Sequence, residues 1–191
     1  MGITLPLDKI CLRSGILCDS CQRKISEGMV RGDELEVLKA LADAEQALSG
    51  FEGRYVGSIT HGGTLVILIE SRGPVPRRLR RELSSRLRQF SEVLVARYSR
   101  DLVETINSLI EPSRILGADE IYAPDGLTYK VLRADKRDSR IIARLEPVLK
   151  EVSRRLYKRE ILIEYSEGRE RRPRVGPEKS DIKSSLERLG L

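Results

Sequence analysis

Three cysteines stand close together near the start of the chain, spaced Cys11-x6-Cys18-x2-Cys21. Two thiolates on a tight turn can reach one tetrahedral ion, so a CxxC pair suits zinc. Gly15 and Asp19-Ser20 supply the turn chemistry. No fourth ligand is evident nearby; His61, the only histidine, joins the site only if the fold carries it there. Two other readings of the same residues stand beside zinc. One is three buried thiols, and the other is a Cys11–Cys18 disulfide of the kind tolerated in hyperthermophile cytosol. Dithiol catalysis by Cys18 and Cys21 lacks its usual setting, a helix that opens after a strand in a βαβ unit. The sequence has no phosphate-cradling lysine loop, dinucleotide glycine fingerprint, HExxH or nucleophile beside an evident base. It is therefore read as a binding protein and not an enzyme.

The second constellation is basic. Between Thr64 and Tyr98 an apolar run ends at Glu70, a Gly-Pro turn follows, and a helical segment leads into a β-rich run. Leu79, Leu83 and Leu87 recur every four residues and lay one apolar stripe along the helix. Arg77, Arg78, Arg80, Arg81, Arg86 and Arg88 take the other faces. Strand, turn, basic helix and strand can offer backbone amides and guanidinium groups to a phosphate chain. Arg72, Gly73, Arg77, Arg78 and Arg81 are the candidate RNA contacts.

The elements that must position these residues follow from period and punctuation. Residues 33–48 read as a helix with Asp33 as cap, Glu36 three residues later, and Ser49-Gly50 at the end. Arg54–Thr60 and Thr64–Glu70 form a hairpin across His61-Gly62-Gly63, which leaves His61 on an exposed loop. Ser99–Ile110 is a helix closed by Pro112. Arg114–Ala123 and Leu127–Ala134 form a second hairpin around Pro124-Asp125-Gly126. Ser139–Leu156 is helical by period, with a break near Arg144-Leu145-Glu146 so that Pro147 can open a new helix. Glu160–Tyr165 is a strand. Residues 166–179 have no apolar period and predict a mobile segment, and Asp181–Leu189 a short helix.

Helix, strand, strand, turn, helix, strand thus occurs twice, at about 33–98 and 100–165, which suggests duplicated modules. The fold class is α+β: two small three-stranded sheets, each with helices on one face. The chain divides into a Cys-containing segment (1–31), two modules (32–98 and 99–166) and a basic tail (167–191). The 191 residues carry a formal charge of +6 and 34% charged side chains, a modest basic excess that fits nucleic acid. Scarce aromatics and no tryptophan argue against base stacking as the main binding mode. One asparagine, three glutamines and two methionines among many arginines and glutamates match the composition of a thermophile. The longest apolar run, Leu65–Ile69, is too short to span a bilayer, and the N-terminus lacks a signal-peptide layout. The expectation is a cytoplasmic protein with no membrane partner.

The repeated order resembles the type II KH domain. The linkerless tandem is similar to the paired KH domains of the NusA family of transcription elongation and termination factors. RDLVETINSLIEPSRILGADEIYAPDGLTYKVL is similar to the junction between the two domains in that family. LPLDKICLRSGILCDSCQRKI resembles the cysteine-containing leader of archaeal members. The resemblance covers residues 1–165. It implies single-stranded RNA as ligand and RNA polymerase or the ribosome as partner. The cysteine spacing adds structural zinc as the cofactor if the thiols hold metal. KH domains grip the backbone with a Gly-x-x-Gly loop between two helices. The matching stretches are Gly73-Pro74-Val75-Pro76, which keeps the first glycine, and Ala143-Arg144-Leu145-Glu146, which keeps none. The first unit should therefore dominate binding. The competing expectation is a protein-docking platform in a transcription or ribosome-associated assembly, without direct RNA contact.

Overall fold

The computed structural model describes residues 2–44, 50–122 and 128–167. Pro124-Asp125-Gly126, Ser49 and the helix expected at 181–189 lie outside the described residues. The leader gives β1 (Ile3–Thr4), α1 (Lys9–Ser14) and α2 (Asp19–Ser26). The first half continues with α3 (Leu35–Ala44), β2 (Gly53–His61), β3 (Thr64–Glu70), α4 (Arg77–Arg86) and β4 (Glu92–Tyr98). The second half has α5 (Leu102–Ile110), β5 (Ile115–Tyr122), β6 (Thr128–Asp135), α6 (Ser139–Val152) and β7 (Glu160–Ser166). The fold is α+β with two separate sheets. Among the described residues no helix is long and apolar enough to cross a membrane.

The first sheet has strand order β1-β2-β3-β4 and the second β5-β6-β7. Within each half the first two strands are antiparallel and the last pair is parallel. A helix crosses over between the parallel strands each time, as parallel pairing requires. Gly62 and Gly63 both have positive φ and form the two-residue hairpin turn. His61 therefore ends β2 opposite Thr64 instead of sitting in a loop.

The register slips between Tyr55 and Gly57, and again between Ile115 and Gly117. The extra residue has a clear consequence in β2. Tyr55 and Ile59 are four apart and would share a face in a regular strand. The bulge sends Tyr55 into one core and Ile59 into the other.

Those two cores correct the expectation of helices on one face. In β3, Leu65, Ile67 and Ile69 point into a core closed by α1, α3 and α4. Val66 and Leu68 point the other way, into a core built with α5, α6 and the second sheet. The first sheet is thus covered on both faces, and β3 reads as an unbroken apolar run for that reason. Only the second sheet has helices on a single face; Ile121 and Leu162 stay exposed on the other. The Cys-containing leader packs with the first half. It adds β1 to the sheet edge and buries Ile3, Leu7, Leu12 and Val30 in the first core.

Local signals explain most element ends. Asp101 caps α5 by accepting from Val103 N at 2.9 Å, and Asp8 caps α1 by accepting from Ile10 N at 2.7 Å. At α3 the cap differs from expectation. The chain enters through a 3-10 turn at Gly32–Glu34, and Arg31 N donates to Glu34 Oε2 at 3.3 Å, so Asp33 and Glu36 are not the capping pair. The stretch Ser139–Val152 is one continuous helix with Pro147 inside it. The break expected near Arg144-Leu145-Glu146 does not occur, because Ile142, Leu145, Val148, Leu149 and Val152 keep one apolar stripe in register across the proline. A π-helical turn, Ser153–Tyr157, follows, and Lys158 in the left-handed region turns the chain into β7.

Candidate nucleic-acid interface and cysteine cluster

The leucine stripe sets the orientation of α4. Leu79, Leu83 and Leu87 are buried, and Val75 anchors the segment that enters the helix. Arg77, Arg78 and Arg81 are driven to solvent, and Arg72 is exposed just upstream. Among the described residues the side chains of these four arginines make no hydrogen bond or ion pair. Arg80 instead pairs with Glu111 at 3.1 Å, and Arg86 lies 3.7 Å from Asp43 and 3.8 Å from Glu82. The Arg88 guanidinium donates to the carbonyl of Ser85 at 3.0 Å. The free cations therefore lie at the start of the helix, beside the 71–76 turn.

Gly73 accepts a hydrogen bond at its carbonyl from Ser71 Oγ, 2.6 Å away. A Cβ placed on Gly73 would meet nothing within 4 Å. Its φ lies outside the left-handed region, so the chain itself does not demand glycine there. The open space at Gly73 is available to a ligand.

In the second half the stretch matched to the Gly-x-x-Gly loop is misplaced. Ala143, Arg144, Leu145 and Glu146 lie inside α6, where backbone amides are used by the helix. Arg144 pairs with Glu92 of β4 at 3.0 Å, and Glu146 pairs with Lys150 at 2.6 Å. The segment that occupies the place of residues 71–76 is the 3-10 turn Lys136–Asp138 between β6 and α6. Arg137 and Arg140 are exposed there and, among the described residues, have no side-chain partner. Sequence reasoning missed them because it looked for glycine. The usable signal was the run Lys136-Arg137 directly after a strand.

Cys11, Cys18 and Cys21 come together as expected: their sulfurs all lie within 4.8 Å of one another. All three are free thiols, with Cys11 and Cys21 buried and Cys18 exposed. The leader's short helices make the cluster. Cys11 sits in the middle of α1, Cys18 is the residue that precedes α2, and Cys21 lies in its first turn. Asp8 N donates to Cys21 Sγ at 3.4 Å, which ties the cluster to the turn before α1.

The two neighbours differ in acidity. Backbone hydrogen bonding at Cys21 holds the Cys18 thiol below its ordinary value, and the Cys11 and Cys21 thiols act in the same sense. At Cys11 a backbone hydrogen bond at Cys18 lowers the thiol, but burial and the hydrogen bonds of Cys18 and Cys21 outweigh it, and the thiol is raised.

The donor set fits a soft, tetrahedral ion. Zn–S bonds of about 2.3 Å imply sulfurs about 3.8 Å apart, a spacing compatible with three sulfurs that lie within 4.8 Å of one another. Among the described residues no histidine or carboxylate joins the three sulfurs. His61, at the turn end of β2, is not a member.

Comparisons with known proteins add little. No family model matches the chain, and no curated protein matches it. A solved structure described as the crystal structure of APE1850 is similar at 17% identity and a TM-score of 0.47, over 66% of this chain and 96% of that one, a likeness too slight to carry an argument.

Proposed function

We propose that this chain is an RNA-binding, NusA-like factor of transcription elongation and termination, built on two KH-like modules. The observation that carries the reading is the exposed set Arg72, Arg77, Arg78 and Arg81, unpaired among the described residues and gathered at one turn beside an open Gly73. Unpaired guanidinium groups are the ones free to replace counterions on a phosphate chain, and that exchange supplies most of the affinity of such proteins. The recurrence of helix, antiparallel pair, crossover helix and parallel strand supports the modular part of the reading. RNA polymerase or the ribosome is the partner this reading assigns.

The cysteine cluster is assigned to structural zinc, with water or another chain in the fourth position. Elemental analysis after mild dialysis is expected to find about one zinc per chain. A metal-free chain would leave three thiols in the leader.

One observation favours a second reading for the second half alone. The stretch matched to its phosphate loop is a helix interior, tied to the first half by Arg144 and Glu92. That half then serves as scaffold or protein-docking surface.

The test compares Arg77→Glu with Arg81→Glu, as a double variant, with Arg137→Glu plus Arg140→Glu. Single-stranded RNA is titrated at two salt concentrations. The first pair is expected to abolish most binding and the second to matter less. Each lost phosphate contact should reduce the salt slope by about one unit and weaken all sequences alike. Equal losses would make both halves RNA-binding. No binding by the wild type at low salt would leave the docking reading.

A further inference from the structure

A cleft of about 610 Å³ opens where residues 72–75 face α5 and the turn that follows it. Arg72, Arg80, Arg97 and Arg114 line it, against Glu104 and Glu111. Arg80 is engaged with Glu111 at 3.1 Å and Arg97 with Glu104 at 3.6 Å. That pairing leaves Arg72 and Arg114 as the excess charge, one from each half of the chain, and neither has a partner among the described residues.

The rest of the lining carries further donors. Ser113 is 5% exposed, and among the described residues its Oγ finds no hydrogen-bond partner. Arg80 Nε is buried and likewise unpartnered. Asn107 accepts from Ile115 N at 2.7 Å through Oδ1, and among the described residues its amide hydrogens have no acceptor, so they are available to donate. Buried polar atoms are nearly always paired in native structures, and both orphans belong to residues that line this cleft, so a small rotation would bring a donor to a ligand there.

The ligand that matches is one with several acceptor oxygens and at least one negative charge. Guanidinium groups approaching from two sides suit phosphate, which can accept from both at once. We propose that this cleft is a phosphate-binding site at the junction of the two halves. Arg72 belongs to both the cleft and the arginine surface at the start of α4, so a backbone phosphate of bound RNA is one source. In that form the inference rests on the RNA reading. A small phosphorylated molecule is the other source, and in that form it stands alone.

The experiment uses the full chain as wild type, Arg114→Ala, Arg114→Lys and the Arg77→Glu, Arg81→Glu double variant. The first arm records the thermal midpoint with inorganic phosphate against chloride at equal ionic strength. Phosphate is expected to raise the midpoint of the wild type and the double variant, as any ligand of the native state does, and to have no effect on Arg114→Ala. Arg114→Lys should keep part of the rise. The second arm titrates single-stranded RNA across salt, where Arg114→Ala is expected to lower the slope by about one unit.

A phosphate effect that vanishes in Arg114→Ala while the RNA slope is unchanged supports the site and assigns it to a small phosphorylated ligand. Absence of RNA binding with the phosphate effect intact sinks the RNA reading and leaves this site standing. A wild type indifferent to phosphate, with an Arg114→Ala slope equal to its own, overturns the proposal.

Discussion

Cys18 is the one sulfur of its cluster that solvent reaches; Cys11 and Cys21 are buried beside it. Alkylation of the native, metal-free chain should therefore label Cys18 first, with Cys11 and Cys21 following only on unfolding. Zinc should suppress the Cys18 reaction. Peptide mass mapping after timed quenching reads all three, and equal labelling of the native chain would contradict the burial. The spacing of these residues was legible in the sequence because short helices cannot carry them far apart. The role of Tyr157 was not, since its partners lie more than fifty residues away. Its hydroxyl donates to the carbonyl of Ser99 at 2.5 Å and lies 2.6 Å from Thr105 Oγ1, and its ring stacks on Tyr98. Burial pushes this phenol up to about 12; the Thr105 hydrogen bond opposes the shift, and Tyr98, Asp101 and Glu104 add to it. The folded chain thus keeps a proton that the unfolded chain releases near pH 10. The stability concerned is intact below about pH 10 and is lost as pH rises towards about 12. Tyr157→Phe should cost about 1 kcal/mol at neutral pH and flatten that alkaline decline. Thermal midpoints of both chains across the alkaline range decide it; parallel declines would exclude Tyr157 as the cause.

Among elements, α4 was readable from its leucine spacing and α6 was not. The difference is Pro147. Its ring removes a donor and clashes with the preceding turn, which in isolation ends a helix. The burial of the stripe from Ile142 to Val152 overrides that local preference, as tertiary packing routinely does. Pro147 itself is exposed, so replacement disturbs no core contact. Pro147→Ala should stabilise the chain by about 1–3 kcal/mol, after allowing for the stiffness proline gives the unfolded state. At about 2–4 °C per kcal/mol the gain is visible in a melting curve. A loss of stability would mean that the proline shapes a bend the second core needs. The bulges at Tyr55/Gly57 and Ile115/Gly117 each fall at a glycine inside a strand pattern, a signal that was present in the sequence. What the glycines do not tell is which core each flanking side chain enters.

At the scale of the whole molecule, the two modules were legible as a repeated order of elements, but their mutual burial was not. Periodicity shows that a face is apolar without showing what covers it. The one available hint was the run Leu65-Val66-Ile67-Leu68-Ile69, which has no polar face. Because Leu68 and Leu149 are fully buried in the same core, Leu68→Ala and Leu149→Ala should each cost about 2–5 kcal/mol. Each should lower one shared transition. Calorimetric and van't Hoff enthalpies that agree would confirm a single unit; two separated transitions would mean the halves melt independently.

The same arrangement has a consequence for how the chain is made. A ribosome synthesises the first half, through Tyr98, before it makes α5 and α6. At about 5–20 residues per second, the end of α6 follows roughly 3–10 s later. Until α6 is made, Ile59, Val66, Leu68 and Ala96 lack the α6 side of the core they enter. The first half therefore begins as an incomplete body with one greasy face, which the second half covers only as it is synthesised.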